Sequence, residues 1–154
     1  MKHTLAVWVT SLAIGAALAF TAPAGAEQGG GGKTSVWSGV YTTAQAKRGE
    51  KIHASSCVPC HGAQLNGDGV PDMPQSPGIA GTDLLFKWSG KTVAELFEYV
   101  HKTMPIDNPG RLTEQESIDS IAHMFAVSEM PAGAKELPPD SKALANIMIE
   151  RKPK

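Results

Sequence analysis

The sequence has 154 residues and a formal net charge of −1, with 14 basic and 15 acidic side chains. This length predicts one compact domain, and the even balance of charge excludes nucleic acid as a partner, because that requires a clustered basic surface. Cys57 and Cys60 are the only cysteines. A framework of disulfides between distant segments is therefore excluded as well.

The first 26 residues have the order of features that defines a secretory signal peptide. Lys2 supplies a positive start, an uncharged apolar run covers residues 5–20, and small residues at 24–26 form a cleavage site before Glu27. The alternative is an uncleaved membrane anchor, since the run approaches the ~18 residues that a span needs. We predict export to the periplasm, with a membrane-anchored form facing the periplasm if the signal is retained.

Residues 27–35 contain a run of four glycines and predict a flexible leader. We assign residues 36–149 to the folded domain and 150–154 to a polar tail. Strand-like alternation of polar and apolar residues is not found in the domain, whereas helical spacing recurs. The predicted fold class is therefore all-α.

The first helix is predicted from Thr43 to about Ser56, with Thr43 as its N-cap, and it leads directly into Cys57. Gly49 in its middle costs about 1 kcal/mol relative to alanine. Such a glycine favours a close approach by another helix.

Residues 62–81 are rich in glycine and proline and predict a long loop. A loop of this length is typical of a segment that wraps around something. A short helix is predicted at 82–88. The next helix has an apolar stripe at 93, 96, 97 and 100, is capped by Thr92 and is ended by Pro105.

A capping box from Thr113 to Glu116 opens a further helix, whose apolar stripe is formed by residues 118, 121, 122 and 125. A short final helix is predicted at 141–149.

The motif Cys57-Val58-Pro59-Cys60-His61 has the Cys-x-x-Cys-His pattern of haem attachment, in which both thiols bond to the porphyrin and the imidazole binds iron. A thioredoxin-like redox disulfide would need a βαβ context, and a zinc site would need about four ligands. A structural disulfide is the remaining alternative. We predict one haem c, covalently bound through Cys57 and Cys60.

The second iron ligand is predicted to be Met104, which ends a helix, is followed by Pro105 and lies far along the chain from His61. Met73 is the runner-up. His101 and His123 would instead give bis-histidine ligation, although we expect His101 to face solvent.

With these residues, the chain resembles the class I c-type cytochromes, most closely the small bacterial ones that accompany periplasmic quinoprotein-type dehydrogenases. The segments that carry the resemblance are residues 45–49, 57–62, 77–81, 88, 90–92, 103–105, 109–112 and 130–133.

The resemblance implies a cytochrome c-like fold, with about three main helices, shorter helices and long loops around one haem. The first and last main helices would cross at Gly49, against residues 118–125. The carbonyl of Pro77 would accept a hydrogen bond from His61, Trp88 would lie near a haem propionate, and Arg111 would pair with one. The chain departs from the family at His53, Ser117 and His123, where aromatic rings are common.

These observations predict one-electron transfer rather than enzymatic activity. The expected partners are redox proteins, with a dehydrogenase or respiratory complex as donor and an oxidase or another cytochrome as acceptor. One alternative is a cytochrome subunit held permanently in an oxidoreductase complex. Another is a haem sensor or enzyme in which Met104 is displaceable.

Overall fold

The computed structural model describes residues 32–69 and 76–154. The predicted signal peptide, most of the leader and Met73 lie outside these residues. The regular elements within them are β1 (Thr34–Ser35), a 3-10 helix (Val36–Ser38), α1 (Thr43–Ser56), α2 (Val58–His61), α3 (Gly81–Trp88), α4 (Val93–Thr103), α5 (Glu114–Val127), α6 (Ser141–Leu144) and β2 (Ile147–Met148). The all-α prediction is confirmed. Over the same ranges, no helix combines the length and the apolar character that crossing a membrane requires.

Helices α1 and α5 cross at Gly49, as predicted. A Cβ atom at Gly49 would lie 1.9 Å from the backbone oxygen of Asp119, so only glycine allows this approach. The N-cap of α1 is Thr42, whose Oγ1 accepts a hydrogen bond from the backbone nitrogen of Gln45 at 3.1 Å. The prediction of Thr43 was therefore wrong by one residue, because Thr42 is the residue with the extended backbone that a cap requires.

The two other long helices begin where the sequence predicts. Thr92 caps α4 and Thr113 caps α5, each in a complete capping box with the glutamate three residues later. In α5, Ile118, Ile121 and Phe125 are fully buried and form the centre of the core.

The end of the chain differs from the prediction of one helix over 141–149. Helix α6 stops at Leu144, and β2 pairs in parallel with β1, so that Thr34 lies beside Ile147. Two residues assigned to the flexible leader thus take part in the fold. This pairing joins segments more than a hundred residues apart, and no local pattern indicates it.

The segment between α5 and α6 is held on the domain by polar contacts to α1. The buried side-chain amide of Gln45 donates to the carbonyl of Leu137 and accepts from its backbone nitrogen, both at 2.9 Å. Arg48 forms ion pairs with Asp119 and Glu136, each at 2.7 Å. These contacts hold the segment between α5 and α6 against α1, and they also join α1 to α5.

Candidate functional site

The cysteine motif forms the short helix α2, directly after α1. Backbone hydrogen bonds run from Cys60 and His61 to the carbonyl of Cys57, which places the two cysteines one turn apart on the same side. Both thiols are free. Burial raises the pKa of Cys57 to about 11, although the charge of Arg111 partly opposes this effect. A neutral thiol is the opposite of the low-pKa thiolate that a redox disulfide uses.

The imidazole of His61 is oriented by the backbone of the following loop. Its Nδ1 lies 2.8 Å from the carbonyl oxygen of Pro77, which is the contact that the resemblance implies. A carbonyl only accepts, so Nδ1 carries the proton and donates it. The lone pair of His61 is thereby left on Nε2, as a metal ligand requires.

A cavity of about 370 Å³ adjoins this motif. Its volume lies within the range of ordinary cofactor sites. Most of its lining is apolar and comes from five of the helices and their connecting loops. The lining residues are His53, Ser56, Cys57, Cys60, His61, Ser76, Pro77, Gly78, Ile79, Leu84, Lys87, Trp88, Leu96, Tyr99, Val100, Met104, Pro105, Ile106, Leu112, Ser120 and Met124.

Met104 is one of two methionines among the described residues that line the cavity. It follows α4 directly, has an extended backbone and is half-buried. The other, Met124, lies within α5 and is buried. Met130 is also buried but does not line the cavity.

The two histidines considered as alternative ligands do not line this cavity. His101 was expected to face solvent, but it is half-buried and its ring stacks on Phe97 with centroids 5.8 Å apart. Its Nδ1 is 3.3 Å from the hydroxyl of Ser117. The hydroxyl of Ser117 on α5 thus gives the imidazole a polar partner inside the domain. The spacing of residues within α4 does not indicate this partner.

His53 and His123 face each other where α1 and α5 cross. Their ring centroids are 5.4 Å apart, and Nε2 of His53 is 3.0 Å from the carbonyl oxygen of Gly62. Burial lowers the pKa of both histidines below the usual 6.5. Two neutral imidazoles therefore meet at this crossing.

Of Trp88 and Arg111, the two residues expected near haem propionates, only Trp88 lines the cavity. Trp88 is buried and lines the cavity. Arg111 is exposed and donates a hydrogen bond from Nη2 to the hydroxyl of Ser56, beside Cys57, and it does not line the cavity.

Lys87 and Tyr99 were not identified from the sequence as site residues, although both line the cavity. Lys87 and Trp88 follow Leu84 by three and four positions, so both lie on the same side of α3 as Leu84. Once Trp88 is assigned to the site, this spacing predicts that Lys87 lies there too.

The residues of the cavity fit a haem c. Two thiols one helical turn apart match the spacing of the porphyrin vinyl groups, His61 has a free ring nitrogen, and a thioether is provided by Met104. Apolar walls surround these polar groups, as a large planar macrocycle requires.

The helical fold and this cavity define a c-type cytochrome domain. A family model described as cytochrome c oxidase, cbb3-type, subunit III, matches residues 44–143, about two thirds of the chain. The chain belongs to this family, whose domain is a class I c-type cytochrome domain. Its cofactor class is haem c, and its function is haem-based electron transfer. No curated protein and no solved structure matches the chain.

Proposed function

We propose that the protein carries one electron at a time on a single haem c, which is bonded to Cys57 and Cys60 and ligated by His61 and Met104. The observation that supports this proposal is the shared cavity, because it is lined by all four side chains although α2 and α4 lie far apart in the sequence.

Each of the four residues has a separate task. The haem supplies the iron that alternates between its ferric and ferrous states. Cys57 and Cys60 hold the cofactor by thioether bonds, while His61 binds iron in the orientation that Pro77 imposes. Met104 contributes a soft thioether, which stabilises ferrous iron and raises the reduction potential relative to a second imidazole. With His61 and Met104 both holding the iron, no position would remain open for a substrate, which favours a carrier over an enzyme.

A soluble carrier must exchange electrons through brief encounters, and such contacts are small. Ile106 lines the cavity and is 71% exposed, and Phe86 is 87% exposed beside Pro77 and Lys87. These apolar side chains are suited to a transient contact near the cofactor. We propose a periplasmic dehydrogenase or respiratory complex as the donor and an oxidase or another cytochrome as the acceptor, in the manner of the dehydrogenase-associated cytochromes that the chain resembles.

The second candidate function is that of a fixed electron relay in an oxidoreductase complex. It is favoured by the description of the family, which names a subunit of an oxidase. The C-terminal segment is a poor docking element for this role, because Leu137, Leu144 and Ile149 are buried in the domain itself. Purification from the native membrane and periplasm separates the two functions: a carrier is recovered alone, whereas a subunit is recovered in fixed ratio with its complex.

The location of the protein and its attachment to the membrane depend on whether the N-terminal signal is cleaved. We propose a periplasmic protein, attached to the membrane only if the apolar segment at residues 5–20 is retained. Determination of the N-terminal residue of the exported protein tests this: Glu27 as the first residue supports cleavage, and an intact Met1 contradicts it.

The axial ligands are tested by absorption spectra of the oxidised protein and of the Met104→Ala variant. Iron bound to methionine sulfur gives a weak long-wavelength band, which we expect in the wild type and not in the variant. Met124→Ala is the matched control, since Met124 lines the same cavity from α5 and should leave the band in place.

A wild-type spectrum without the band contradicts the Met104 assignment, and a protein without covalent haem contradicts the proposed function altogether. Rapid binding of carbon monoxide to the ferrous wild type would instead support the sensor or enzyme alternative.

A further inference from the structure

Lys87 is the only lysine, arginine, aspartate or glutamate among residues 32–69 and 76–154 that lines the cavity. Its side chain is exposed, and its Nζ lies 4.6 Å from the ring centroid of Tyr99 and 5.7 Å from that of Trp88. Both aromatic residues also line the cavity. The ammonium group therefore stands at the rim of the cavity, at the end formed by α3 and α4.

The chemistry of the cofactor gives the two ends of the cavity different partners. In a haem c the vinyl-derived thioethers leave from one edge of the porphyrin, and the two propionates leave from the opposite edge. Cys57, the N-cap of α2, and Cys60, within α2, would hold the thioether edge. Arg111, through its hydrogen bond to Ser56, lies at that same edge. At this edge, Arg111 would lie on the side of the haem opposite the propionates.

We infer that Lys87, and not Arg111, is the counter-ion of a haem propionate. The inference rests on the proposed function, because it requires a haem attached through Cys57 and Cys60. Lys87 is a positioning and charge-setting residue, and it does not touch the iron.

Among the described residues, the charged ones that share a pocket or an aromatic ring with Lys87 are Asp83 and Lys91. Asp83, one turn earlier on α3, lines the adjacent surface pocket together with Lys87. Lys91 holds its Nζ 4.7 Å from the ring centroid of Trp88 but does not line the cavity. Lys91 therefore shares the Trp88 ring with Lys87 but does not line the cavity, which makes it a matched control.

The expected consequence is electrostatic. A positive charge beside the haem favours ferrous over ferric iron, and it also keeps the propionate ionised. Loss of Lys87 leaves an unpaired carboxylate, which opposes reduction when it is ionised and takes up a proton more readily. The reduction potential of such a variant should be lower near neutral pH and should rise more steeply as the pH is lowered.

The test is potentiometric titration of the haem-loaded wild type and of the Lys87→Met, Lys87→Arg and Lys91→Met variants between about pH 5 and pH 8. At a fixed applied potential near neutral pH, the ratio of reduced to oxidised Lys87→Met protein should fall several-fold relative to the wild type; a tenfold fall corresponds to about 59 mV for one electron. The difference between the two proteins should shrink as the pH falls. Lys87→Arg should restore the wild-type profile, and Lys91→Met should retain it.

A Lys87→Met profile that coincides with the wild type, or an equal shift in Lys91→Met, overturns the inference. Because Lys87 is exposed, its truncation leaves the core intact. The failures are distinguishable, since a wild type without covalent haem refutes the proposed function, whereas fully loaded Lys87→Met protein with unchanged potentials refutes only the role of Lys87.

Discussion

Replacement of Gly49 by alanine tests the crossing of α1 and α5, which joins the two ends of the domain. By helix propensity alone, Gly49→Ala would stabilise α1 by about 1 kcal/mol. The structure predicts the opposite. The new Cβ would lie 1.9 Å from the backbone oxygen of Asp119 and 2.9 Å from Cβ of His123, whereas ordinary contacts begin at 3.4 Å.

To relieve this overlap, α5 must move away by roughly 1.5 Å. Overpacking of a core usually costs about 1 to 3 kcal/mol, and a rigid backbone atom places Gly49→Ala at the upper end of that range. After subtraction of the propensity gain, we expect the free energy of unfolding to fall by about 2 kcal/mol.

The assay is urea unfolding of the haem-loaded protein, followed by circular dichroism at helical wavelengths and by haem absorbance. Gly32→Ala is the control, because a Cβ there meets no atom within 4 Å, and its free energy of unfolding should change by less than about 0.5 kcal/mol. A Gly49→Ala protein as stable as the wild type, or more stable, would refute the close crossing.

Two further predictions concern polar groups at the same crossing. Arg48→Met leaves the carboxylate of Asp119, which is 4% exposed, without its ion pair, and should lower the free energy of unfolding by about 1 to 3 kcal/mol. In urea titrations, the double variant Arg48→Met with Asp119→Asn should recover part of this loss. Equal losses in the single and the double variant would contradict the role of the ion pair. Because the pKa of His53 and His123 is lower in the folded protein than in the unfolded chain, unfolding below about pH 6.5 takes up protons. The free energy of unfolding should therefore have its full value above about pH 6.5 and fall as the pH drops below it. Urea titrations at several pH values should show a smaller fall for His123→Gln, and an equal fall would contradict this assignment.

The helices that the sequence predicted correctly carry their signals within a few residues. Thr92 and Thr113 each precede a glutamate by three positions, and both capping boxes form. Gly49 likewise indicated the helix crossing. A glycine inside a helix lowers helix stability, and a close approach by another helix explains why it is present. Where two neighbours offered the same chemistry, as Thr42 and Thr43 do, the backbone conformation decided which one caps the helix.

The errors concern residues whose surroundings come from elsewhere in the chain. Residues 145–149 have helical spacing, but pairing of β2 with β1 overrides that preference. His101 was expected to face solvent, yet its Nδ1 lies 3.3 Å from the hydroxyl of Ser117 on α5. In each case the deciding partner lies on another element or another part of the fold.

The five-residue motif by itself determined the class of cofactor, because covalent attachment and the first iron ligand depend on groups that are adjacent in the chain. The helical class likewise follows from local spacing and caps. Only the tertiary structure decided which distant side chains meet around the cavity: Met104 rather than His101 or His123 among the described candidates, and Lys87 rather than Arg111 at its rim. That selection depends on how α3, α4 and α5 pack against the cysteine helix, and packing between distant segments is not encoded in any short stretch of sequence.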